Sequence, residues 1–251
     1  MRALTFYSID TSCLWNRLFR AVIGVHLGLM RTESPATLQA LQSWGTDEDR
    51  QSCRRPASLA CRALLRGMLA EITQSPPDAW RFSKRSSGAP VATHRNGQPA
   101  PAISITHSGS WVAYAATFAG AIGIDVEQSR DRRDHLGIAE RAFGPREREA
   151  VDRLGSSRFH AIWTLREAIA KATGKGLEMA ADRRDRVQDG PYESSQWMRM
   201  EDADWWLMHA NPAPQVSLGL AFRPAEGRPR SEAVQLHWWP REEPEGATSR
   251  A

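Results

Sequence analysis

From Ala102 to Glu127 the chain reads as strand, turn, strand, strand, and this period of two restricts the fold more than any other feature. Ile103 and Ile105 alternate with Ser104 and Thr106, His107-Ser108-Gly109-Ser110 makes a turn, Trp111 to Thr117 returns, and Ala121 to Glu127 supplies a third strand. A β-meander in mid-chain needs helices to cover it, and helical patterns lie on both sides. Before it, Ser34-Pro35 offers an N-cap and a first-turn proline for a helix from Ala36 to about Trp44. A second helix, Pro56 to about Ile72, places Leu59, Ala63, Leu64, Met68 and Ile72 on one face. After the meander come helices near Ile138 to Phe143, Pro145 to Leu154 and Arg158 to Thr173. A first strand at Ile23 to Met30 and later ones near Trp197–Met200, Trp205–His209, Val216–Phe222 and Val234–Trp239 complete the pattern, with a turn at Gly190-Pro191. The fold class is α+β, a helix with antiparallel strands in each half. The divisions expected are an extension over residues 1–20, subdomains at 21–120 and 121–240, and a disordered tail at 241–251.

Composition removes several function classes. Hydrophobic residues form 41% of the 251, enough for a sizeable core. The net charge of +4 favours acidic partners, but the basic runs are interleaved with acids, as in Arg130-Asp131-Arg132-Arg133-Asp134. A surface tracking nucleic-acid phosphates needs one sign of charge concentrated on a face, so no nucleic-acid partner is expected. The longest apolar stretch, Trp111 to Ile124, contains glycines and is too short for a bilayer, and no secretory signal stands out. Cys13, Cys53 and Cys61 lack zinc spacing and read as free thiols of a reducing cytoplasm.

Three segments hold candidate chemistry. In Ile122-Gly123-Ile124-Asp125-Val126-Glu127, alternation puts Asp125 and Glu127 on one face with Gly123 leaving space beside them. Carboxylates two residues apart on a strand are separated by roughly 7 Å, close enough to share a hard cation. On the hexapeptide alone, a half-buried strand with a solvated acidic face is the simpler account. In the helix through Trp163-Thr164-Leu165-Arg166-Glu167-Ala168-Ile169-Ala170-Lys171, the residues Ile162, Leu165, Ile169 and Ala172 form an apolar stripe. Trp163, Glu167 and Lys171 lie opposite it, so a second layer or a ligand must cover the tryptophan. The third segment, Ser104-Ile105-Thr106-His107-Ser108-Gly109, sets hydroxyls and an imidazole at a strand end, suited either to a phosphate or to a purely structural turn. No nucleophile elbow, P-loop or dinucleotide fingerprint accompanies them.

In this order and spacing the three segments resemble the larger, surfactin-synthetase-type 4'-phosphopantetheinyl transferases. That family's pattern is Ser-His-Ser/Thr, then Gly-Ile/Val-Asp-x-Glu, then Trp-Ser/Thr-x-Lys-Glu-Ala/Ser-x-x-Lys-x-x-Gly-x-Gly-Leu. Here they read Thr106-His107-Ser108-Gly109, Gly123-Ile124-Asp125-Val126-Glu127, and Trp163 through Leu177 ending in Gly174-Lys175-Gly176-Leu177. The likeness covers roughly residues 50–187. It implies a monomer of two similar subdomains with the active site in the cleft between them. It implies transfer of the 4'-phosphopantetheine arm of coenzyme A to a serine of an apo acyl, peptidyl or aryl carrier protein, releasing 3',5'-ADP. Asp125, Glu127 and Glu167 would be the metal ligands for magnesium, with manganese undistinguished from it. Glu167, Lys171 and Asp125 would be catalytic. His107, Thr106, Ser108 and Lys171 would contact the coenzyme, joined by Gly88, Pro90, Lys84 and Arg85.

Two positions depart from the family. Its Gly-Lys-Pro is Gly88-Ala89-Pro90 here, so a lysine is missing, with Lys84 or Arg85 as the candidate substitutes. Arg166 replaces the lysine before the glutamate, keeping charge with a different geometry. The rivals to this reading are a degenerate homologue that only binds carrier protein or coenzyme A, and a different magnesium-dependent phosphate enzyme.

Overall fold

The computed structural model describes residues 23–129, 134–175, 183–187, 197–200, 204–225 and 234–239. The expected extension at 1–20, the turn at Gly190-Pro191, the tail at 241–251 and Cys13 lie outside these residues, as do Gly176 and Leu177 of the long motif. Cys53 and Cys61 are free thiols.

The first half opens with β1 (Ile23–Arg31). Ser34 caps α1 (Pro35–Trp44) by accepting from the Thr37 amide, and Pro35 takes its first turn, as the Ser-Pro pair predicts. A short α2 (Asp47–Ser52), not expected from the sequence, is capped by Thr46 and begins with three acids that suit a helix N-terminus. Next come α3 (Pro56–Thr73) and a hairpin of β2 (Trp80–Lys84) and β3 (Pro90–His94). The half closes with β4 (Ala102–Ser108) and β5 (Trp111–Thr117). The second half runs β6 (Gly120–Gln128), α4 (His135–Ala142), α5 (Pro145–Thr173), β7 (Met198–Arg199), β8 (Trp206–Ala213) and β9 (Val216–Pro224). The two helices expected between Pro145 and Thr173 meet at Gly155, whose backbone (φ 74°, ψ −156°) breaks the helical path.

β1 pairs antiparallel with β5 and β5 with β4, and in the same way β6 pairs with β9 and β9 with β8, giving β1-β5-β4 and β6-β9-β8. The final strand, β10 (Val234–Trp238), breaks the expected division at 121–240. It pairs parallel with β1 and so belongs to the first sheet, which is therefore mixed. Val234, Leu236 and Trp238 find apolar cover there, against the core shared by the two sheets. The Trp239 amide fastens the chain by donating to the Leu27 carbonyl at 2.8 Å.

The sheets stack with a common apolar core of Val25, Leu27, Ile124, Val126, Leu218 and Phe222 among others, all buried. On its outer face the first sheet is covered by α3 through Leu64 and Met68, which share a core with Tyr114 of β5, and the second by α5 through Phe159, Leu165 and Ile169. Each helix is also locked by a buried acid. Burial pushes the Asp49 carboxyl up, but bonds from Arg66, Thr46 and Arg62 outweigh it and hold it below the usual range. Asp49 meets Arg62 at 3.3 Å and Arg66 at 2.5 Å, and Arg66 also donates to the Trp80 carbonyl, joining α2, α3 and β2. In the second half Glu147 pairs with Arg166 at 2.7 Å and accepts from the amides of Gly144, Arg186 and Val187.

Candidate active site

β6 does what its alternation predicts. Ile122, Ile124 and Val126 enter the core between the sheets, leaving Gly123, Asp125 and Glu127 on the face crossed by α5. The crossing is close because two glycines stand under the helix. A Cβ on Gly123 would overlap the Ala168 carbonyl, and one on Gly219 the Thr164 carbonyl. With the helix backbone against the sheet, Glu167 and Lys171 come to the flank where Asp125 lies. Lys171 Nζ donates to Asp125 Oδ1 at 2.6 Å and to the Ile124 carbonyl at 3.2 Å.

The other edge of the site comes from β4, which lies against β6. Ser104 Oγ accepts from the Ile124 amide at 3.1 Å. Thr106 Oγ1 donates to Asp125 Oδ1 at 2.9 Å. Ser108 Oγ donates to Glu127 Oε2 at 2.9 Å and accepts from the Gln128 amide at 3.1 Å. Asp125 is 5% exposed, and its second oxygen, Oδ2, is buried with no hydrogen-bond partner. Burial raises the Asp125 carboxyl above its ordinary range, opposed by the Lys171 charge and reinforced by Glu127. Glu167 is raised as well, by burial first and then by the charge on Asp125. The three carboxylates thus feel one another, and Lys171 is the cation among them.

Among the described residues no three His, Cys, Asp or Glu side chains are gathered closely enough to hold a metal ion by themselves. What is present is a buried carboxylate oxygen without a donor, beside two further acids. This fits a hard divalent cation that keeps several waters and takes phosphate oxygens from a substrate. It does not fit a structural cage.

A cleft opens beside this centre. One part, about 400 Å³, is lined by Lys84, Gly88 and Pro90 of the hairpin facing Glu167 and Lys171, with Arg62 behind. A larger part, about 930 Å³, continues past Arg85, Pro90 and Lys171 to Gly174 and Arg223. The hairpin residues singled out from the sequence are therefore brought to Glu167 and Lys171. His107, Thr106 and Ser108 are not among the residues lining these two parts. Thr106 and Ser108 turn toward the carboxylates of β6, while His107 stands 3.5 Å from Ser58 at the start of α3. Burial lowers the His107 pKa, and the nearby charges of Arg55 and Lys171 lower it further.

The second layer that the sequence calls for over Trp163 is present, since it stacks on Phe159 at 5.8 Å and meets Phe143 at 6.4 Å. Two arginines behave differently from their sequence reading, or escaped it. Arg166 is 6% exposed and serves the Glu147 lock, which is why its difference from lysine falls away from the cleft. Arg62 was missed: it lines the cleft with Lys84, yet its guanidinium is engaged by Asp49 and Ser52. Only the pairing of Asp49 with arginines from a separate helix identifies it, and no local spacing carries that.

Residues 121–220 match the family model of the 4'-phosphopantetheinyl transferase superfamily. Among curated proteins it is similar to the 4'-phosphopantetheinyl transferase HetI of Nostoc, 32% identical over 122 residues that span 47% of this chain and 52% of HetI. It is also similar to the 4'-phosphopantetheinyl transferase ffp of Bacillus subtilis, 29% identical over 64% of this chain and 73% of that protein. Sfp of Bacillus subtilis strain 168 is 29% identical over 57% of this chain and 66% of its own length. Against relatives such as HetI the matched part of the chain spans about half their length. No helix among the described residues is long and apolar enough to cross a membrane.

Proposed function

We propose that this protein transfers the 4'-phosphopantetheine arm of coenzyme A to a serine of an apo acyl, peptidyl or aryl carrier protein. The observation that carries the reading is the buried, partnerless Oδ2 of Asp125, set between Glu127, Glu167 and Lys171 at the edge of an open cleft. Asp125, Glu127 and Glu167 would hold a magnesium or manganese ion, which supplies charge neutralisation on the coenzyme pyrophosphate.

The remaining chemistry belongs to the chain. The carrier serine Oγ attacks the phosphorus that bears pantetheine, the bond from that phosphorus to the bridging oxygen breaks, and 3',5'-ADP departs. Glu167 takes the serine proton, and its partly desolvated carboxylate suits a general base. Lys171, 31% exposed at its side chain, stabilises negative charge on the departing pyrophosphate side. Lys84 and Arg85 on the hairpin supply cations near the position where the family lysine is replaced by Ala89. His107 near Arg55 offers a second contact for a coenzyme phosphate. The protein acts as a monomer in the cytoplasm, and its charge of +4 aids capture of acidic carrier surfaces.

Intact-mass spectrometry of an apo carrier incubated with the protein, coenzyme A and magnesium tests this directly. The expected result is a mass gain of one phosphopantetheine, absent when EDTA replaces the metal. Release of nucleotide without any carrier points instead to a hydrolase. Coenzyme A binding with no mass gain on acyl, peptidyl and aryl carriers contradicts transfer.

A further inference from the structure

The hydroxyls of β4 invite assignment to the coenzyme, because Thr106 and Ser108 flank His107. Their geometry points elsewhere. Thr106 is 8% exposed, and its one hydroxyl proton is already donated to Asp125 Oδ1. Ser108 gives its proton to Glu127 Oε2 and accepts from the Gln128 amide. Ser104, on the same face of β4, accepts from the Ile124 amide. Side chains at alternate positions of one strand thus run a hydroxyl ladder along β6, in place of a main-chain ladder.

The bonds on Asp125 are one-sided. Thr106 and Lys171 both grip Oδ1, at 2.9 and 2.6 Å, while Oδ2 is left buried and unbonded. A buried carboxylate oxygen without a donor is disfavoured unless something positive completes it. Fixing one oxygen also fixes the direction of the other.

We propose that Thr106 and Ser108 are positioning residues: they orient Asp125 and Glu127 toward a divalent cation, with Asp125 Oδ2 as the donor, and make no contact with the coenzyme. This rests on the cation reading of the same site given above. The metal centre then depends on the two halves together, since the second half supplies the acids and the first half aims them.

The test separates cation from coenzyme. Mn²⁺ binding, counted from the free aquo-ion by electron paramagnetic resonance, is measured on the full chain without coenzyme. Coenzyme A binding is measured by calorimetry in EDTA. Thr106→Val is expected to weaken Mn²⁺ binding roughly tenfold, the lower range for loss of a bond that orients a ligand. Ser108→Ala should show a smaller loss and Thr106→Ser should restore binding to within about twofold. Coenzyme A affinity in EDTA should be unchanged in all three. Reduced coenzyme A affinity with unchanged Mn²⁺ binding overturns the proposal and returns these residues to the coenzyme. Where the wild type binds no Mn²⁺ alone, the same count is made with coenzyme A present; wild-type protein that binds no Mn²⁺ there either removes the cation reading and this proposal together, whereas equal binding by wild type and variants removes the proposal alone. Ser108→Ala, at a more exposed position, decides the matter if Thr106→Val does not fold.

Discussion

The two halves share one strand order and use it differently. In the first, α3 lies on its sheet through large side chains, including Leu64 and Met68. In the second, Gly123 and Gly219 let α5 lie with its backbone against the sheet, so that Glu167 and Lys171 reach Asp125. The edge strands differ in the same sense: β4 presents Ser104, Thr106 and Ser108, and β6 presents Asp125 and Glu127. What the halves hold in common is the means of stability, a buried acid paired with arginine. What distinguishes them is where carboxylates are gathered beside the cleft. A repeated scaffold has room for one reactive edge when the facing edge supplies neutral donors.

The largest stability effect should come from the locks, where the halves should behave alike. Asp49→Ala leaves Arg62 and Arg66 without their buried partner, and Glu147→Ala does the same to Arg166. Each should lower unfolding free energy by about 3–5 kcal/mol in urea titration. A silent substitution in one half would break the parallel. Gly219→Val comes next. It pushes α5 off β9 and should destabilise by about 1–3 kcal/mol. Because the shift displaces Glu167, transfer should fall more than the loss of folded protein explains. If activity simply follows the folded fraction, the close approach of the helix has no part in the site.

A smaller effect sharpens the division from the other side. Lys84 is exposed on the first half's hairpin and lines the cleft, so Lys84→Ala should weaken coenzyme A binding by a few-fold, in the range of exposed charge contacts. The catalytic rate at saturating coenzyme should stay within about twofold. Calorimetry and saturation kinetics read the two quantities separately, and a loss confined to the rate would put Lys84 in the chemistry instead.

Much of this arrangement is legible in the sequence because it is periodic. The alternation in Ile122 to Glu127 fixes which face carries Asp125 and Glu127, and the helical spacing of Glu167 and Lys171 puts both on one side of α5. Ser34-Pro35 marks its helix because capping is a local matter. What escaped was non-local. Trp163 stacks on Phe159 one turn earlier on its own helix, but Phe143, which meets it from before α5, is not placed by helical spacing. The roles of Thr106 and Ser108 depend on β4 meeting β6 across the seam, and the placement of β10 beside β1 depends on an open sheet edge elsewhere. α2 escaped for a different reason: six residues beginning with three acids have no apolar stripe to reveal them.

The central claim is that the chemistry sits on the acidic edge of the second half, with Glu167 as its base. Transfer to an apo carrier by Glu167→Gln, compared with wild type at saturating coenzyme A and magnesium, tests it most directly. A rate lower by roughly 10²–10⁴-fold, with coenzyme A binding and thermal stability retained, is the predicted result. A Glu167→Gln protein that modifies the carrier at the wild-type rate would contradict the account.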